Sequence, residues 1–208
     1  MKNSFCAAFL FALFSTVVIP VQAGVSDRVQ EPSDAKVHYN RGTEHYENGE
    51  FEAAIRELSM AIALEPKAPD AYFNRGLSFR RQHRIDEAIS DFSEAIALYP
   101  FQPSYYLSRC NARIVKGDFT GAIDDATQAA RFLPDEARVY FMRGLAHKFR
   151  GDLDEALADS ITALQIDPLY PDAQRLLRET LIQRDMLPEM RTSSSPPKPY
   201  IANTPKEI

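Results

Sequence analysis

The chain is poor in several things, and each shortage excludes a class. Two cysteines among 208 residues cannot build a fold held by many disulfides. Positive charge is not in excess: 24 Lys and Arg face 29 Asp and Glu, a net charge of −5. That balance argues against binding nucleic acid through a bulk basic field. No apolar run reaches the roughly 20 residues of a membrane-spanning helix. No HExxH, GxSxG or glycine-rich phosphate loop occurs. Of the four histidines, His38 and His45 are seven residues apart. On a helix that is about 10 Å, too far to share one metal ion directly. The expectation is therefore no catalytic residue, no metal site, no cofactor and no enzyme.

The first residues read as an address. Lys2 precedes an uncharged apolar stretch, Phe5 to Ile19, then Pro20 and the small-x-small pattern Val21-Gln22-Ala23. This is the layout of a secretory signal cut after Ala23. The apolar stretch is short for a retained anchor, so no stable membrane span is expected once the signal is removed. Removal of residues 1–23 takes Cys6 with it and leaves Cys110 as the only thiol. An exported chain with one thiol has no internal disulfide and must be held by packing. The destination expected is the far side of an inner membrane, the periplasm.

Proline, by contrast, is abundant: 14 residues. Each would cost about 3 kcal/mol inside a helix, so their positions matter. Pro66, Pro100, Pro134 and Pro168 fall 34 residues apart. Sliding the chain by that period aligns Arg41, Arg75, Arg109 and Arg143. It also aligns Ala54, Ala88, Ala122 and Ala156, and Ala61, Ala95, Ala129 and Ala163. Gly42, Gly76, Cys110 and Gly144 share a column of small residues. Gly49, His83, Gly117 and Gly151 share another. Within each period, apolar residues recur at three- and four-residue steps in two blocks, the mark of two amphipathic helices. Pro69, Pro103 and Pro171 stand where first helices open, a position that needs no N–H.

These columns resemble the tetratricopeptide repeat (TPR), a 34-residue helix–turn–helix with large, small, alanine and proline positions. The large first position holds His38, Tyr72, Tyr106 and Tyr140. The chain departs from the pattern where leucine before the glycine is replaced by arginine in every unit. It departs again at the first-helix aromatic, which reads His45, Phe79, Arg113 and His147. The resemblance implies an all-α solenoid, a right-handed superhelix of four hairpins: 35–68, 69–102, 103–136 and 137–170. A capping helix follows at 171–187, with a flexible lead at 24–34 and a disordered proline-rich tail at 188–208.

Two constellations stand out. Each repeat arginine has an acid sixteen residues later: Arg41 and Glu57, Arg75 and Asp91, Arg109 and Asp125, Arg143 and Asp159. In antiparallel helices these positions lie level, which predicts a ladder of partly buried ion pairs that fixes repeat register; a ligand-binding arginine row is the other reading. The second constellation comes from the resemblance, which places positions five, nine, twelve and thirteen of each first helix on a concave groove. The groove candidates are Tyr39, Tyr46, Phe73, Leu77, Leu107, Asn111, Ile114, Phe141 and Leu145, with Asn40 and Asn74 one step along to hold a peptide backbone. The same apolar row is equally a core row. Arg80 and Arg81 share the groove positions, and with Arg84 form the one dense basic cluster. It reads either as helix-end complementation or as contact with an acidic partner.

The function these features imply is a non-enzymatic adaptor that binds a peptide or protein segment in its groove. The alternative is a periplasmic chaperone or envelope-biogenesis factor, possibly one associated with the cell wall. The lysine–asparagine–arginine clamp by which some TPR co-chaperones grip a C-terminal carboxylate is not reproduced. Its positions carry Tyr39, Thr43, Asn74, Ser104 and Ser108.

Overall fold

A computed structural model describes residues 33–192, and the side-chain surroundings of residues 33–185. The expected signal, the lead before Ser33 and the tail beyond Thr192 lie outside the described residues. Among the described residues there are nine helices and no strand: α1 (Asp34–Glu47), α2 (Phe51–Leu64), α3 (Pro69–Arg81), α4 (Ile85–Leu98), α5 (Pro103–Lys116), α6 (Phe119–Phe132), α7 (Ala137–Arg150), α8 (Leu153–Ile166) and α9 (Pro171–Thr192). They form a solenoid of helical hairpins.

Each helix packs on its neighbours in the chain. The first helices also meet one another across repeats, α1 on α3, α3 on α5, α5 on α7 and α7 on α9. No second helix meets another among the described residues. The first helices are therefore the inner, closer-spaced layer and the second helices the outer one, which curves the stack toward the first helices.

Local chemistry sets the joints. Ser33 Oγ accepts from Lys36 N at 3.3 Å and starts α1 at Asp34, one residue inside the expected lead. The turn within each hairpin needs a left-handed residue: φ is +80° at Gly49, +87° at Gly117 and +98° at Gly151. The second repeat places His83 there at φ 61°, a conformation unfavourable to any side chain. At the other joint the large first-position column has a task the pattern alone did not show. Tyr72, Tyr106 and Tyr140 donate their hydroxyls to the carbonyls of Pro66, Pro100 and Pro134, at 3.3, 3.0 and 2.9 Å. Gln174 Nε2 makes the same bond to the Pro168 carbonyl at 2.8 Å. α3, α5, α7 and α9 thus each latch the loop that leads into them.

The core is built on small residues. All eight members of the two alanine columns are buried. A Cβ placed on Gly76 would sit 2.8 Å from the Phe92 ring, so this column admits no side chain where its partner is large. In the third repeat the trade is reversed: the facing residue is Ala126, and buried Cys110 fills the space. In the fourth, a Cβ on Gly144 would meet Asp159 Cβ at 3.0 Å and Leu176 of α9 at 3.3 Å.

α9 closes the stack. Ala173, Leu176 and Thr180 are buried on its inner face, Thr180 donating to the Leu176 carbonyl at 2.7 Å. The helix runs on to Thr192, past Leu187 where the expected cap ended. Pro188 lies in its last turns, where losing one backbone bond costs less than it would mid-helix.

Candidate functional site

The inner layer presents the groove rows, and behind them runs the arginine column. Three rungs of the ladder are paired. Arg75 grips Asp91 with Nε and Nη2, both at 2.8 Å. Arg143 grips Asp159 at 2.9 and 2.6 Å. Arg109 reaches Asp125 with Nη2 at 2.7 Å and Nε at 3.0 Å. The three acids are buried. The bond to Asp91 holds the Arg75 guanidinium above the ordinary arginine range, and the bond to Asp159 does the same for Arg143. Burial pushes the Asp125 carboxyl up, against the pull of Arg109 and Arg113.

Two features of the ladder differ from expectation. The first rung, Arg41 with Glu57, does not form. Glu57 Oε2 is held by His38 Nδ1 at 2.7 Å, and Arg41 is exposed. The second difference concerns the remaining guanidinium nitrogen. Arg75 Nη1 donates to Ser59 Oγ at 3.0 Å and Arg109 Nη1 to Ser93 Oγ at 2.9 Å. These serines link Arg75 and Arg109 to the preceding repeat. The rungs also gain a member that the spacing did not reveal. Arg113, which breaks the aromatic column, donates Nη1 to Asp125 at 2.8 Å and to the Gly121 carbonyl at 2.9 Å.

The groove rows divide. Leu107 is buried in the core among Tyr106, Cys110, Val139 and Met142, so it belongs to packing and not to an open surface. Tyr39, Tyr46, Phe73, Leu77, Asn111, Ile114, Phe141 and Leu145 are half-buried, and Asn40 is exposed. Phe73 lies against Phe92 and Tyr105, with ring centroids 5.8 and 4.9 Å away. Phe141 stands edge-on to Tyr170 at 5.5 Å, and Tyr46 is 5.7 Å from Phe51. Asn74 Nδ2 already donates to the Tyr39 hydroxyl at 3.0 Å, while Asn111 Oδ1 accepts from Arg80 Nη1 at 2.8 Å. Beside Tyr39, a cleft of about 260 Å³ is lined by Lys36, Ala61, Glu65, Asp70 and Ala71. Burial first, then the Asp70 charge, raises the Tyr39 phenol above its usual range. The Tyr105 phenol is raised by burial and by its bond to Asp70.

Known families match this architecture. A tetratricopeptide repeat model covers residues 39–103 and a second covers 137–168. The chain carries tetratricopeptide repeats. No catalytic family is among the models that match, and no curated protein matches the chain. Several solved TPR structures share the fold. MamA (residue 41 to the end) from Desulfovibrio magneticus RS-1 superposes with a TM-score of 0.71 at 19% identity, over 74% of this chain and 86% of that one. YrrB, described as a TPR protein with an unusual peptide-binding site, gives 0.66 at 20% identity, over 73% and 78%. The first TPR of Spaghetti (RPAP3), bound to the HSP90 peptide SRMEEVD, gives 0.54 at 23% identity, over 56% and 93%. At these identities the likeness is one of fold. Among the described residues no cluster of His, Cys, Asp and Glu is arranged to hold a metal ion, and no helix is long and apolar enough to cross a membrane.

Proposed function

We propose that this TPR chain is a non-enzymatic adaptor that binds a peptide or protein segment along the inner face of its solenoid. The observation that carries the reading is the half-burial of the inner rows. Tyr39, Phe73, Leu77, Ile114, Phe141 and Leu145 keep apolar surface open while the alanine columns behind them complete the core. Half-open apolar rows on a concave wall offer anchor pockets to an extended segment or a helix. Among TPR neighbours of the same fold, YrrB is described as having a peptide-binding site and the RPAP3 repeat is bound to a peptide. Lys2, the Phe5–Ile19 stretch and Val21-Gln22-Ala23 support export across an inner membrane, with the adaptor acting in the periplasm.

The test is affinity capture with residues 24–208 as bait, repeated with Phe73→Ala/Phe141→Ala, helix content being checked by circular dichroism. Loss of the captured partner with helix content retained supports the groove. Equal capture by both baits refutes it. Retention of cell-wall polymer without any protein partner favours the envelope alternative.

A further inference from the structure

The guanidinium groups behind the groove are matched. Arg75, Arg109, Arg113 and Arg143 each hold a buried aspartate. Arg80, near the end of α3 on the groove face, is not. It is half-buried, and the described structure gives it one protein partner, the neutral Asn111 Oδ1 at 2.8 Å. Its Nε is buried without an acceptor. Tyr46 acts in its favour, but the charged side chains that act on it, Arg81 and Arg138, are of its own sign. Burial pushes its guanidinium down from the ordinary arginine range, and those two cations push the same way, yet an arginine stays charged. Its sequence neighbours in the basic cluster are otherwise engaged. Arg84 is bonded to Glu87 at 3.0 Å and lies over the Phe79 ring, and Arg81 lies over the Phe51 ring.

A charge taken partly out of water without a counter-ion is costly unless something repays it. Helix-end complementation does not repay it, because the helix terminus offers no acceptor to the buried Nε. The surroundings are those of a carboxylate seat. Asn111 on α5 meets it with a neutral carbonyl oxygen, and no carboxylate of the described chain fills the place. Leu77 and Ile114, both half-buried, are groove-row residues on the same two helices, α3 and α5.

We propose that Arg80 seats an aspartate or glutamate side chain of the segment bound in the groove, so that this TPR chain selects acidic peptides with apolar flanks. The proposal rests on the groove reading. It places the seat near the end of α3, away from the positions of the C-terminal clamp, which this chain fills with Tyr39, Thr43, Asn74, Ser104 and Ser108. The chain's net charge of −5 repels acidic peptides as a whole, so any preference for them has to be local.

The test uses two fluorescein-labelled peptide pools with identical randomised apolar positions. One carries Asp and Glu between them, the other Asn and Gln. Anisotropy is read with the exported chain, Arg80→Gln, Arg80→Lys and Phe73→Ala/Phe141→Ala. The expected result is a preference for the acidic pool of about tenfold or more, the worth of one charge-assisted bond. Arg80→Gln abolishes the preference, and Arg80→Lys restores part of it. Equal binding of both pools, weakened together by Phe73→Ala/Phe141→Ala, overturns the acidic seat and leaves the groove standing. A preference that persists in Arg80→Gln overturns it too. If neither pool binds, the groove reading falls and the seat with it.

Discussion

Removing Asp91 probes the rungs most sharply. In the folded chain its two oxygens take both Arg75 bonds at 2.8 Å, and the Arg75 stem is enclosed by Tyr72 and Phe79, whose ring centroids lie 5.6 and 5.8 Å from the guanidinium. The exposures are 7% for the Asp91 side chain and 20% for that of Arg75, so water reaches neither freely. Asp91→Ala leaves Arg75 with Ser59 Oγ as its one hydrogen-bond acceptor. Stranding a partly buried charge costs about 3 kcal/mol, whereas replacing both members of a pair by apolar groups is close to neutral. Asp91→Ala is therefore expected to lose about 3 kcal/mol, and Asp91→Ala/Arg75→Leu to recover most of that loss. The assay is urea unfolding followed by helical circular dichroism, urea being chosen because guanidinium would screen the pair. A loss below about 0.5 kcal/mol for the single variant refutes the claim that the rung is a buried, matched charge. A double variant as unstable as the single one would show that side-chain packing, not charge, sets the effect.

The small and left-handed positions yield sharper tests of the backbone. Gly76→Ala drives a Cβ to 2.8 Å from the Phe92 ring and should cost about 1–3 kcal/mol in the same urea assay; an unchanged midpoint would contradict the close approach of α3 to α4. His83→Gly relieves a side chain held at φ 61° and should stabilise by about 0.5–1 kcal/mol, an effect that a lower thermal midpoint would contradict. Cys110 is fully buried and its thiol is pushed up to about 12 by burial. At pH 8 it should stay unlabelled by a disulfide reagent in the folded chain and react within seconds in 6 M guanidinium; ready labelling of the folded protein would contradict the placement of Cys110 behind α6.

The 34-residue period made the hairpins legible because it writes itself in residues with a single physical use. Prolines at 66, 100, 134 and 168 can only close a repeat, and alanines packed helix to helix tolerate nothing larger. The separation of sixteen between arginine and acid pointed to the pairs at Arg75, Arg109 and Arg143. It misled at Arg41, because Glu57 is taken by His38, a competitor that the arginine–acid spacing does not display. Arg113 looked like a defect in the aromatic column because its partner, Asp125, was already assigned to Arg109. Groove and core were inseparable in the sequence, as an apolar residue at position five serves either. The structure draws Leu107 inward, opposite small Ala126, while its equivalents in the other repeats remain half open.

The central claim is that the inner face binds a polypeptide. It is tested most directly by a photo-crosslinking residue placed one at a time in the full chain in its own cells. Positions Leu77 and Leu145 lie on the inner layer, and Met60 and Ile161 are exposed on second helices of the outer layer. The account predicts a discrete adduct from Leu77 and Leu145 and none from Met60 or Ile161. Adducts from the outer positions alone, or equally from both layers, would contradict it.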